Sequence, residues 1–321
     1  MRGLVAIGAL LGAALCVGLV AYFGLDGILR SFAAVGWGGF ALVCLAQLAL
    51  FPLLGSAWAT LSPITPRPWR PFIIGRLMRD AATEILPLSP VGGFVIGGRA
   101  AVLAGAHPAL VYATTIVDVA MELAAQVAFI CIGLSVLAFR HPGATERIGY
   151  APLAAGLALG VAAAVGFIFA QRFALRPLTE WARKFTGLAF LATAEAGADI
   201  IAAIYARPAR LALAATLHLC GWLAASAGAW LALRLMGSTI ELPSVIALEC
   251  LLYAVRSVAF MAPAGLGVQE GAYAILGPLF GLPPETALTL SLLKRARDVA
   301  IYALALAGWQ LAESRRAIAA R

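Results

Sequence analysis

What this sequence has least of is charge: Asp, Glu, Lys and Arg make up only 12% of its 321 residues, while 63% are hydrophobic. Soluble domains carry about twice that share of charge, so a water-exposed globular fold is excluded. Histidine is nearly missing, and none of His107, His141 and His218 has a carboxylate or cysteine at ligand spacing. Hydrogen-bonded packing roles are expected of them, and no metal site. The five cysteines, Cys16, Cys44, Cys131, Cys220 and Cys250, lie singly in apolar segments with no C-x-x-C pair, which excludes a disulfide or metal framework and leaves packing. No G-x-S-x-G, H-E-x-x-H or aspartate-rich diphosphate motif occurs, so no enzyme, catalytic residue or cofactor is expected.

What is there in abundance is apolar sequence. A membrane crossing takes about 20 apolar residues, and such runs occupy 4–25, 37–61, 107–138, 151–170, 209–235 and 283–309. Arg2 precedes the first run, but its length and the lack of a small-residue cleavage pattern make it a retained helix rather than a signal peptide. Two further segments, 71–105 and 244–281, are apolar but broken by Pro, Gly and charge. The expected fold is an all-α polytopic integral membrane protein in a single domain, with six transmembrane spans and two broken or re-entrant helical segments.

The net charge of +8 reports topology. With the N-terminus inside, twelve basic residues collect on the cytoplasmic side and four, Arg30, Arg140, Arg147 and Arg234, on the other. Both termini are therefore expected in the cytoplasm, and nucleic acid is not a partner. The one long polar connection, 171–207, spaces its apolar residues helically among Arg172, Arg176, Arg183 and Lys184, as an amphipathic helix on an anionic leaflet would; a solvated connector explains the charges equally.

The two broken segments resemble each other. Setting PVGGFVIGGRAAVL (90–103) against PAGLGVQEGAYAIL (263–276) pairs Pro90 with Pro263, Gly92 with Gly265, Gly98 with Gly271 and Leu103 with Leu276, among six matches in 14 positions. Each is followed by Asp-Val-Ala, at Asp118 and Asp298. Repeat-like halves over about 62–138 and 236–310, entering from opposite sides, form an inverted repeat of the kind that places broken helices at the membrane midplane. Pro90, Gly92, Gly93, Pro263, Gly265 and Gly267 are the expected backbone breaks, whose freed polar groups must face protein or a wet cavity.

Charges sit near the middle of these elements. Asp118 and Glu122 share one helix face, and Lys294, Arg295, Arg297 and Asp298 lie mid-span in the last run. An unpaired charge at that depth costs about 2.5–3.5 kcal/mol, so Arg295 or Arg297 is expected to meet Asp118 or Glu122, either as helix-joining ion pairs or around a polar groove. Arg76, Asp80 and Glu84, with Arg79 beside them, line either an interfacial helix or a cavity wall. Arg99, Gln269 and Glu270 fall in the broken stretches themselves, and Arg256 lies seven residues before Pro263.

The set RDAATEILPLSPVGGFVIGGRA, VDVAMELAAQ, RSVAFMAPAGLGVQEGAY and LSLLKRARD resembles the flippase-like family named for the transmembrane region of lysylphosphatidylglycerol synthase, nearest the hopanoid-associated HpnL branch. The resemblance implies a bacterial inner-membrane protein that moves a hopanoid or phospholipid between leaflets, alone or with lipid-export partners. Its polar positions fall on Arg79, Glu84, Arg99, Asp118, Glu122, Arg256, Gln269, Glu270, Arg295, Arg297 and Asp298. Bifunctional relatives continue into a soluble aminoacyl-transfer domain; no lysyl transfer is expected of this chain. A non-transporting scaffold for lipid export is the other class to weigh, and a lipid-modifying enzyme the weaker third.

Overall fold

The computed structural model describes residues 25–67, 69–85, 90–171, 190–258 and 266–319, and every regular element among them is helical. In chain order these are α1 (Leu25–Leu48), α2 (Leu50–Thr60), α3 (Trp69–Ile85), α4 (Pro90–Leu103), α5 (Pro108–Arg140), α6 (Pro142–Ile148), α7 (Tyr150–Phe169), α8 (Phe190–Tyr205), α9 (Pro208–Leu235), α10 (Leu242–Val258), α11 (Val268–Leu276) and α12 (Pro284–Ala319). Proline opens α4, α5, α6, α9 and α12, where its missing N–H is no loss and its fixed φ starts the helix. Within α1 the backbone kinks at Gly36, which has φ 61°.

Four stretches are long and apolar enough to cross a membrane: Phe32–Thr60, Pro108–Arg140, Tyr150–Phe169 and Pro208–Leu235. They correspond to four of the six expected spans. The span at 4–25 lies outside the described residues, as do Pro263 and Gly265. The span at 283–309 is the middle of α12, a single helix of 36 residues and therefore about 54 Å long. Its four mid-helix charges keep it from qualifying as apolar.

Both broken segments are helical hairpins. The first pairs α3 with α4 and the second pairs α10 with α11, which runs through a short 3-10 turn, Gly277–Phe280, before α12. Adding 173, the offset between Pro90 and Pro263, carries α3 (69–85) onto α10 (242–258) at both ends and the end of α4 (103) onto that of α11 (276). Each hairpin then leads into a long helix, α5 or α12.

The hairpins open onto opposite ends of the molecule. At one end, Arg210 donates to the Ser62 carbonyl (2.7 Å), Arg99 pairs with Glu313 (2.8 Å), and Arg70, Leu103 and Glu313 border one hollow. This end carries the mouth of α3/α4. At the other, Arg140 pairs with Glu241 (2.6 Å), His141 bonds Ser244 (2.8 Å), and the His141 ring meets Phe280 at 5.0 Å. There lies the mouth of α10/α11. The 33 residues of α5 separate the two ends by about 50 Å.

Gly92 and Gly93 do not break the backbone as expected; both are inside α4, which Pro90 opens. Glycine serves close approach here. A Cβ on Gly93 would run into Thr83 Oγ1, one on Gly97 would lie 2.6 Å from Arg79 Cβ, and one on Gly75 would lie 3.0 Å from the Gly97 carbonyl oxygen. Small residues four apart let two membrane helices meet backbone to backbone, and that contact holds α4 on α3. Gly267 does mark a break, with φ 76° at the start of α11.

Part of the expected amphipathic connector also takes a different place. Residues 172–189 lie outside the described ones, but in α8 Ile201 and Ile204 are buried against Ala113 and Val117 of α5. Gln171 donates to the Ile116 carbonyl (2.8 Å) and accepts from the Tyr205 hydroxyl (2.9 Å), so the connector's two ends are tied to α5 and to each other.

The glycine contact makes a sharp prediction. Gly97→Leu forces the α3/α4 hairpin apart and costs about 1–3 kcal/mol by overpacking, read as a lower melting temperature of the detergent-solubilised chain. Gly156→Leu on α7, where no atom lies within 4 Å, leaves it unchanged.

Candidate functional site: an intramembrane network of ion pairs

Burying charge in an apolar helix is costly unless each ion meets a partner, and α3 supplies the first set. Arg76 and Arg79 reach α5 together and clasp Glu122 between them. Arg76 Nη2 lies 2.9 Å from Glu122 Oε1, and Arg79 Nη2 donates to Oε2. Arg79 also donates to Asp118 Oδ2 (3.2 Å), while Arg76 turns its Nε to Asp80, one turn on (3.1 Å). His218 of α9 completes the group, its Nε2 2.8 Å from Asp118 Oδ1. The Arg79 guanidinium lies over the Phe94 ring at 4.2 Å, so the far arm of the hairpin shields it from lipid.

The second set joins the inner ends of the hairpins. Glu84, in the last turn of α3, accepts from Arg256 Nη2 of α10 (2.7 Å) and lies 3.8 Å from Arg295 Nη1 of α12. Arg256 also donates to Gln269 Oε1 (3.0 Å), and Arg295 Nε donates to Glu270 Oε1 (2.9 Å). Ser291 lies between, accepting from Gln269 and donating to Glu270. Glu270 also closes a helix end, since its Oε2 accepts the Gly267 amide (2.8 Å) and so caps α11.

A third set is buried. Lys294 of α12 pairs with Glu249 of α10 (2.9 Å) and donates to the Tyr273 hydroxyl of α11 (2.7 Å), while that hydroxyl donates to Glu249.

The expected residues Arg79, Glu84, Asp118, Glu122, Arg256, Gln269, Glu270 and Arg295 thus lie in the first two of these sets, a band of separate ion-pair groups carried by α3, α5, α10, α11 and α12. The expected pairing within it does not occur. Arg76 and Arg79 occupy Asp118 and Glu122, because the hairpin lies against α5; Arg295 faces Glu270 and Glu84. Arg297 bonds its own neighbour Asp298 (2.7 Å) and reaches neither carboxylate of α5. Arg99 stands apart, mostly exposed and paired with Glu313 at the mouth of the first hairpin. Arg76 itself is buried, held by Asp80 one turn on and by Glu122 of α5.

Partners were harder to read than charges. His218 has its carboxylate a hundred positions away on another helix, and Lys294, conspicuous mid-span, meets Glu249 and Tyr273 from two further elements. The available signal was a lone polar residue amid apolar helix, which Glu249 and His218 both show. Across the sets seven carboxylates (Asp80, Glu84, Asp118, Glu122, Glu249, Glu270, Asp298) face six cations (Arg76, Arg79, Arg256, Lys294, Arg295, Arg297), so the band very nearly compensates itself. No group of three or more metal-ligating side chains is found among the described residues.

A family model described as "Lysylphosphatidylglycerol synthase TM region" matches residues 5–306, a stretch that contains every member of this band. No curated protein and no solved structure matches the chain.

The enclosed pair tests how much the band matters to stability. Glu249→Ala leaves the Lys294 ammonium buried without its counter-ion and costs about 3–5 kcal/mol, whereas Glu249→Leu combined with Lys294→Met recovers most of the loss. Denaturant or thermal unfolding of the three proteins in one detergent distinguishes them.

Proposed function

The chain belongs to the family of the lysylphosphatidylglycerol synthase TM region, and on that footing we propose that it translocates a lipid between the leaflets of a bacterial inner membrane. The observation that carries this reading is the meeting of the two hairpins. Their inner ends come together at Glu84, Arg256 and Arg295, deep between the two faces of the molecule, and these side chains keep part of their surface open. A lipid head group needs a polar stopping place at that depth, while its hydrocarbon stays among the apolar helix faces.

An inverted repeat is supported by the common offset of the hairpins and by their mouths lying at opposite ends. In such a fold, rocking one hairpin and its long helix against the other exposes the central site first to one leaflet and then to the other. Six crossings follow if 4–25 and α12 both span. The end bearing Arg67, Arg70, Arg99, Arg207, Arg210 and Arg315 is richer in basic residues than the end bearing Arg140, Arg147 and Arg234. The positive-inside rule makes the former cytoplasmic, with both termini on that side.

The activity is movement without chemistry on the cargo. Hopanoid is the cargo to which the HpnL-like sequence points, and a phospholipid is its competitor for a site rich in arginine. The test is leaflet exchange of labelled hopanoid and labelled phosphatidylglycerol in proteoliposomes. Wild-type protein exchanges one of them; Arg295→Ala and Asp118→Asn, which strip a buried partner from Glu270 and from Arg79, lower the rate at least about tenfold. Folded, oriented protein that exchanges neither lipid rules the proposal out in favour of a scaffold.

Topology is checked separately. In a cysteine-free background, His107→Cys at the first mouth and Glu285→Cys at the second, both exposed, react with an impermeant maleimide from opposite sides. Labelling from one side eliminates the inverted repeat.

A further inference from the structure

The geometry points to Arg256 and Arg295 as a two-guanidinium receptor for a phosphate-bearing, singly negative lipid head group, with Glu84 occupying it as a tethered stand-in for that anion. This rests on the translocation reading and narrows its cargo.

Glu84 is the carboxylate of one hairpin held by cations of the other half, through Arg256 Nη2 at 2.7 Å and Arg295 Nη1 at 3.8 Å. Two guanidiniums converging on two oxygens is how arginines also take a phosphate, whose additional oxygens suit the donors of two forks. The receptor does not need Glu84 to hold its shape. Arg295 is fixed through Nε by Glu270, Arg256 by the Gln269 amide oxygen, and Gln269 and Glu270 are joined through Ser291, all within α10, α11 and α12.

Charge decides the ligand class. Glu84 and Glu270 are the carboxylates that form ion pairs with Arg256 and Arg295 among the described residues, so withdrawing Glu84 leaves one paired negative charge against two positive ones. One negative charge restores the balance, and a phosphodiester carries one. An uncharged polyol displacing Glu84 leaves a buried charge uncompensated, which is strongly unfavourable. Access separates these three side chains from the enclosed carboxylates beside them. The side chains of Glu84, Arg256 and Arg295 are 20%, 23% and 17% exposed, whereas Glu249 and Glu270 are at 0%. A head group can reach the receptor without opening the enclosed pairs, and must compete with Glu84 for it.

Competition with an internal anion lowers apparent affinity by the fraction of time the receptor is free. The experiment is equilibrium binding of dioctanoyl phosphatidylglycerol, with dioctanoylglycerol as the same chains lacking phosphate, to the full chain in detergent. Glu84→Gln, which keeps shape and removes charge, tightens the phosphatidylglycerol Kd by about tenfold and leaves dioctanoylglycerol binding unchanged. Adding Arg256→Gln or Arg295→Gln to that variant abolishes the gain, and Arg256→Lys recovers only part of it. An unchanged phosphatidylglycerol affinity in Glu84→Gln overturns the assignment, as does an equal gain for the neutral lipid or a gain that survives loss of either arginine. Unfolding curves confirm that each variant is folded. Binding in detergent needs no second leaflet, so it reads head-group recognition even where nothing is moved. Leaflet exchange that is indifferent to phosphate leaves translocation standing and removes the receptor.

Discussion

A charge in hydrocarbon has to be met by another charge, and in this chain the partner almost always belongs to a different helix. That constraint organises the interior. Arg76 and Arg79 tie the first hairpin to α5, Lys294 and Glu249 tie the second to α12, and Glu84 with Arg256 ties hairpin to hairpin. Apolar packing alone gives membrane helices little reason to prefer one neighbour over another, because lipid tails are equally apolar. The ion pairs supply the preference. They act where the hydrophobic effect does not, which is why polar residues lie so deep in a molecule with so few of them.

The two halves use this device with opposite sign. In the first, cations sit on the hairpin and carboxylates on the long helix; in the second, Glu249 is on the hairpin and Lys294 on the long helix. Position 249 is position 76 displaced by 173, and position 295 is position 122 displaced by the same 173, so places related by that offset hold opposite charges. Residue-by-residue similarity between the halves is therefore weakest where their structural roles are most alike. The resemblance between the two segments is carried by PVGG and PAGL, and the ion pairs add nothing to it at the level of residue identity.

Much of the architecture was legible because hydropathy follows directly from solvent. The crossings at 107–138, 151–170 and 209–235 fell almost on α5, α7 and α9, and the family resemblance was readable across nearly the whole chain. Most of the candidate site was legible for the same reason, since Asp118, Glu122, Glu270 and Arg295 are conspicuous in apolar surroundings. Who pairs with whom was not, because that depends on how α3 lies against α5. Gly93 shows a second limit. Glycine in an apolar helix serves either a break or a close approach, and only the nearness of Thr83 tells which. His218, bonded to a residue on another helix, carried no local signal beyond its own polarity.

Glu270 divides its two oxygens between different obligations: one holds the Gly267 amide at the start of α11, the other holds Ser291 and Arg295 on α12. Neither oxygen is free to let go, because the carboxylate is fully enclosed. The nine-residue helix is therefore yoked to the long one. Whatever tilts α12 carries α11 and its positive-φ start along as a single lever.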